Sequence, residues 1–173
     1  MSQNRVGNIE VTPAFSINIP DIQAIANIAW PNAFAEILSE QQICYMMDWM
    51  YSSESLEDQI KNKEHRFFIA RSDGESVGFM SIENNCGGSG HTKIHKIYII
   101  PDQQGNGIGR TLLDSAASAA IQSGDSAIYL NVNKFNARAI SFYQRYGLVK
   151  IKDEIIDIGD GFVMDDFVFE KRI

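Results

Sequence analysis

Cysteine is almost absent from this chain: its 173 residues hold two, Cys44 and Cys86, with no CxxC pair and no histidine placed to complete a metal set. That argues against a disulfide framework and against a thiolate zinc site, and leaves two reduced thiols. Long apolar runs are missing too. Stretches such as "IYII" and "AIYLNV" are far shorter than the ~20 residues that cross a bilayer, and "MSQNRVGNIE" has no apolar signal core. A soluble, cytoplasmic protein without membrane contact is therefore expected. An excess of positive charge is lacking as well, with 15 Lys and Arg against 22 Asp and Glu and a formal charge of −7. Nucleic acid is not an expected partner, because phosphate binding needs a basic footprint. Repeats, low-complexity tracts and Pro/Ser linkers are also missing, so residues 1–173 are expected to form one domain.

The charge that is present is unevenly placed. Between His91 and Lys152 there are eight Lys or Arg against three Asp or Glu, whereas the remainder has seven against nineteen. A polyanionic ligand on the central segment and a cationic one facing the flanks would suit that division; so would an acidic surface that merely keeps the protein soluble.

Hydrophobic periodicity divides the chain. "VTPAFSINI" reads as extended and stopped by Pro20, with Asp21 capping a helix through "IQAIANIAW". Ser39 and Gln42 have the spacing of a capping box ahead of "EQQICYMMDWMY", and Ser53 opens a third, polar helix. The period then changes to two. "RFFIARSDGESVGFMSIE" reads as a hairpin turning at Asp73-Gly74, and "TKIHKIYII" as a strand closed by Pro101. A helix over Ile108–Ile121, the strand "SAIYLNVN", the helix "NARAISFYQRY" and two last strands turning at Gly159–Gly161 complete a mixed α/β order.

The stretch "QQGNGIGRTLL" lies between a strand and a helix start, where free backbone N–H groups and the positive end of the helix dipole attract anions. Gly105, Gly107 and Gly109 would let a backbone approach an anion closely, although a purely structural turn uses the same residues. The P-loop pattern fails because no Lys precedes Thr111. The dinucleotide pattern fails because Arg110 occupies the place of its third glycine.

Gln104, Gly107 and Gly109, following "KIYII" and preceding a helix, resemble the acetyl-CoA signature of the GCN5-related N-acetyltransferases, the GNAT family. "NKFNARAISFYQRYGL" is similar to that family's later block, and the leading helices are similar to those of bacterial members near the polyamine acetyltransferases. The resemblance implies a mixed, mostly antiparallel sheet of six to seven strands, helices on both faces, and a splayed strand before the loop. It implies acetyl-CoA as cosubstrate and no metal. Gln104, Gly105, Asn106, Gly107, Ile108, Gly109 and Arg110 would hold the pyrophosphate, and Ile97, Tyr98 and Ile99 the pantetheine arm. Asn136 would contact pantetheine, and Arg145, with Lys134 and Arg138 as further candidates, would neutralise phosphate.

By the same resemblance the N–H of Ile99 polarises the thioester and Tyr143 protonates the leaving thiolate. A phenol suits that step because it is protonated at neutral pH. For the base, His95 reads by period two as sharing a face with Ile97 and Ile99; Glu83 and an ordered water relay stand beside it. The cluster Tyr45–Tyr51 reads as core, or as part of an acceptor cleft with Asp48. The expected activity is acetyl transfer to a primary amine, small and cationic in view of the acidic flanks. Acetylation of a protein or peptide, and a non-catalytic acetyl-CoA sensor, are the alternatives. The two C-terminal strands offer a surface for a homodimer.

Overall fold

A computed structural model describes residues 7–173. The elements are β1 (Ile9–Ala14), α1 (Ile19–Phe34), α2 (Glu40–Tyr51), α3 (Ser53–Lys61), β2 (Arg66–Ser72), β3 (Glu75–Glu83), β4 (Thr92–Ile99), α4 (Ile108–Ser123), β5 (Ala127–Asn133), α5 (Ala137–Tyr146), β6 (Val149–Gly159) and β7 (Phe162–Arg172). One seven-stranded sheet runs in the order β1-β2-β3-β4-β5-β7-β6. Every pairing is antiparallel except β4 with β5. This is the mixed, mostly antiparallel sheet expected.

Alternation along the strands feeds two cores. On one face Ile82, Ile94, Ile128 and Leu130 pack under Leu112, Leu113 and Ala116 of α4. On the other, Phe67, Ile69 and Phe79 meet Ile22, Ala26 and Trp30 of α1, Met46 and Tyr51 of α2, and Leu56 of α3. Residues two apart on a strand share a face, so β2, β3 and β4 each serve both cores.

Local signals were obeyed with corrections. Asp73 and Gly74 both take positive φ, 50° and 89°, as a tight hairpin turn requires. Pro20 does not stop the first strand: β1 ends at Ala14, a short 3-10 turn intervenes, and α1 starts at Ile19 with Pro20 in its first turn. Proline costs little there because the first-turn N–H groups have no intrahelical acceptor. Asn18, not Asp21, is the cap residue, and Ser52 rather than Ser53 caps α3 by accepting from the Ser55 N–H. Ser39 does cap α2, accepting from Gln42 N at 3.1 Å. The Gln42 side chain does not close the box but donates to Val163 O at 2.9 Å, fastening α2 to β7. Tyr45 adds a second tie, its hydroxyl donating to Ile158 O at 2.7 Å.

The face assigned to His95 is overturned by a bulge. Lys93 and Ile94 pair with Glu83 and Ile82, but Ser81 pairs with Lys96, so His95 is the extra residue. An extra residue resets the alternation. Ile97 and Ile99 therefore pack with the α4 core, Tyr98 with the α1–α3 core, and His95 turns to Glu83.

Candidate active site

The parallel ladder between β4 and β5 is short. Thr92, Lys93 and Ile94 pair with Ile128, Tyr129 and Leu130, after which β4 continues on β3 and β5 on β7 without pairing with each other. A wedge opens in mid-sheet, with one free edge of backbone groups. Ile100 N donates to Val77 O, so the alternation of the strand turns the N–H and C=O groups of Ile97 and Ile99 into the wedge. Gln104 fixes that edge from below, donating from Nε2 to Ile99 O at 3.1 Å, while its Oε1 is buried without a partner.

Below the wedge lies the glycine loop. Gly107 caps α4 in the left-handed region with no side-chain bond, and the first helical hydrogen bond is Thr111 N to Gly107 O at 3.0 Å. The amides of Ile108, Gly109 and Arg110 thus have no acceptor within the helix. Gly105 and Gly107 take φ of 83° and 85°, with nothing within 4 Å of the place a Cβ would occupy. The loop meets solvent there, as an anion cradle must. Gly109 does a further, packing job beside the one expected of it. A Cβ on it would stand 2.8 Å from Phe142 Cζ and 3.2 Å from Ile99 Cδ1, so its bareness lets α4 and α5 close together.

Tyr143 follows Phe142 on α5 and is 7% exposed. Burial alone raises its phenol, so the hydroxyl keeps its proton throughout the physiological range. Asn136 caps α5, accepting from Ala139 N at 3.2 Å. Arg110 lies over the Tyr146 ring, 5.7 Å from its centroid, and Arg145 is exposed, with its guanidinium on Ser141 Oγ at 2.7 Å. Both therefore lie where α4 begins and α5 ends. Lys134, before the opposite end of α5, is committed to Asp165.

A splayed parallel pair and an uncapped glycine loop beneath it coincide with a family match. The model of the "Acetyltransferase (GNAT) family" covers residues 23–148. The chain belongs to that family. It is an N-acetyltransferase. Among its relatives is the spermidine N(1)-acetyltransferase of Thermoplasma acidophilum, 27% identical over 90% of this chain and 94% of that protein. The fold is that of the PaiA N-acetyltransferase from Thermoplasma acidophilum in complex with coenzyme A, with TM-score 0.80, 24% identity, and 96% and 99% of the two chains covered. The ribosomal-protein-S18-alanine N-acetyltransferase from Escherichia coli shares it at TM-score 0.70 and 16% identity, over 96% and 94%.

On the α1–α3 side of the sheet the acetyltransferase carries titratable groups. Glu83 Oε2 stands 2.8 Å from His95 Nε2 and 3.6 Å from His65 Nε2. Burial pushes both imidazoles down to about 3, aided for His65 by His95 and Lys96 and for His95 by Lys93 and Lys96. Both are neutral at neutral pH. The three side chains bring ligand atoms within 4.8 Å of one another, as a metal set would. The two rings, however, stack at 4.0 Å with only 19° between their planes. In-plane lone pairs on nearly parallel rings run side by side, so as placed they do not converge on one ion.

Three residues of this side escaped sequence reasoning. His65 stacks on His95. Lys96 is buried, with Nζ 2.6 Å from Gln59 Oε1. Asp166 is 5% exposed, and its Oδ1 has no hydrogen-bond partner. "MDDFVFE" carried a signal for the last, since two adjacent acids on a strand put one on each face, but not which face is buried. Asp48 and the other residues of 45–51 divide: Met46 and Tyr51 are core, while Trp49 is exposed and stacks on Tyr45.

Proposed function

We propose that this enzyme transfers the acetyl group of acetyl-CoA to a primary amine of a small cationic acceptor, by direct attack in a ternary complex. The observation that carries the reading is the wedge: a free strand edge at Ile97–Ile99, directly above an anion cradle and beside a buried, protonated tyrosine. Coenzyme A supplies an activated thioester and a polyphosphate handle. Gln104 to Arg110 bind that handle through the free amides of the loop, with Arg145 adding charge. Ile97 offers its N–H and C=O groups to an extended amide-bearing arm, as a neighbouring strand would, while the Ile99 carbonyl already accepts from Gln104. The Ile99 N–H donates to the oxygen on which negative charge develops. Tyr143 gives its proton to the departing sulfur, and Asn136 holds the start of α5, from which Tyr143 projects.

The amine proton leaves towards His95 and Glu83. A neutral His95 in contact with the Glu83 carboxylate accepts and passes on a proton more readily than it stores one, since burial disfavours the imidazolium. A small acceptor also suits the ties of Gln42 and Tyr45, which hold α2 against the β6–β7 hairpin. Acceptor charge is supported by the acids facing that side and by the likeness to a spermidine acetyltransferase.

The test is a panel of amines scored by free-thiol release from acetyl-CoA. Diamines and polyamines are expected to respond and peptides with free α-amines to stay at background. The reverse ranking would refute the acceptor class. Tyr143→Phe is expected to lower kcat at least tenfold for every responding amine with KM for acetyl-CoA unchanged; an unchanged kcat would remove Tyr143 from the role of proton donor.

A further inference from the structure

Asp166 presents an unpaid electrostatic cost. Its register partners are Asn133 on β5 and Glu154 on β6, so the three side chains share a face. Met164, two residues earlier on that face, packs with the α1–α3 core, which places Asp166 on the side of Tyr98 and the acceptor. Asn133 is the last residue of β5, so this is the wide end of the wedge. There the Asp166 carboxyl is 5% exposed with Oδ1 buried and unbonded. A buried carboxylate oxygen left without a partner costs a fold free energy.

The nearby charges do not relieve it. Lys134 is spent on Asp165, and Lys152 on Glu154 at 3.0 Å. The Asn131 amide donates to Glu154 Oε2 at 2.6 Å. Burial first, then Glu154 and Asp165, push the Asp166 carboxyl up to about 6, against a hydrogen bond from the Asn131 side chain and the charge of Lys93. At neutral pH it is therefore mostly ionised, with two acids, Glu154 and Asp165, as neighbours and one buried oxygen still without a donor. Tyr98 adds position: it packs in the α1–α3 core, on the same side of the sheet as Asp166, and its phenol is raised by burial, then by Tyr143 and then by Asp166.

We propose that Asp166 holds a protonated nitrogen of the acceptor other than the one acetylated, so that the enzyme selects amines bearing at least two basic nitrogens. The proposal rests on the acetyltransferase reading above and adds the residue that chooses the substrate. The distinction between the two nitrogens follows from electrostatics. An amine paired with a buried carboxylate is stabilised as ammonium and has no lone pair with which to attack. The nitrogen at Asp166 is thus an anchor, and a second nitrogen must reach the wedge. Asp166 is accordingly a specificity residue rather than a base.

The experiment compares 1,4-diaminobutane, spermidine and lysinamide with n-pentylamine, a monoamine of matched length to the first, on the wild-type protein and on Asp166→Asn. With acetyl-CoA saturating, the wild type is expected to favour at least one diamine over n-pentylamine by tenfold or more in kcat/KM. Asp166→Asn is expected to lower that preference at least tenfold through KM, leaving kcat, the n-pentylamine rate and the KM for acetyl-CoA within threefold. Asp166→Ser should show the same split, which guards against a fold defect peculiar to one variant. A uniform fall in kcat for all four amines, or no preference in the wild type, overturns the proposal. Calorimetric binding of the same amines in the presence of coenzyme A separates it from the parent reading. If no amine releases thiol but a diamine binds to wild type and not to Asp166→Asn, the anchor stands and the activity falls. Equal binding to both proteins, or none to the wild type, overturns the anchor whatever the rates show.

Discussion

Replacing Lys96 by Met should make the protein's stability less dependent on pH, by an amount its surroundings allow to be worked out. Lys96 is 8% exposed, with Nζ 2.6 Å from Gln59 Oε1 and within 5.8 Å and 6.0 Å of the Tyr51 and Phe67 ring centroids. No carboxylate pairs with it among the described residues. Burial, then Lys63 and Lys93, push its ammonium from 10.5 down to about 8. That difference corresponds to about 3 kcal/mol set against the charged form in the folded state. Because the folded value is the lower one, the unfolded chain binds more protons between about pH 8 and 10.5, and stability contributed by this group rises through that window. From pH 7 to 9.5 the rise is about 2 kcal/mol. The assay is the urea midpoint of wild type and Lys96→Met at several pH values in that range. Subtracting the two cancels the buried tyrosines Tyr51, Tyr98 and Tyr143, whose raised phenols lose stability at still higher pH. The wild-type advantage should grow by about 2 kcal/mol, starting from a variant at least as stable at pH 7. A difference that stays flat would mean that Lys96 titrates as a hydrated surface amine, and the depressed histidines beside it would lose one of their causes.

The loop glycines should separate by function. Gly107→Val, forced into φ of 85° with no clash, is expected to cost about 1–3 kcal/mol of local strain and to weaken coenzyme A binding at least tenfold by calorimetry while the fold survives. Gly109→Ala, whose Cβ would meet Phe142 at 2.8 Å, is expected to displace α5 and lower kcat with a smaller effect on coenzyme A affinity. Glu83→Gln should lower kcat about tenfold or more at neutral pH and less at high pH, where the free amine is abundant, in line with general-base contributions. A pH-independent loss would assign Glu83 to structure alone.

Much of the fold was legible because periodicity and punctuation agree with the packing. The Asp73-Gly74 hairpin, the Gly124 and Gly147 helix stops and the loop from Gln104 to Gly109 each depend on a residue whose backbone preference is local. What failed were matters of side and pairing. One inserted residue at His95 reversed the faces of Ile97 to Ile99, and a bulge leaves no mark in a strand as regular as "KIHKIYII". Asp165 and Asp166 look alike in sequence, yet one pairs with Lys134 and the other is buried with one oxygen unbonded. The Lys96–Gln59 bond joins residues 37 apart, a separation that no local pattern encodes.

The bulge also explains how one sheet can serve two ligands. Were β4 regular, Ile97 and Ile99 would lie on the same face as His95, and the strand edge facing the wedge would alternate differently. With His95 inserted, the strand shows its aliphatic side chains to the α4 core, which anchors the loop through Ile99, and its polar ones to the α1–α3 side. The N–H groups of Ile97 and Ile99 then open into the wedge between these sides. In the proposed reading an anionic ligand is met at the start of α4 and a cationic one at Asp166, on either side of the split in the sheet. The uneven charge of the sequence maps onto that arrangement only in part: Arg110 and Arg145 lie by the loop, whereas Lys96 of the same basic stretch is buried on the α1–α3 side.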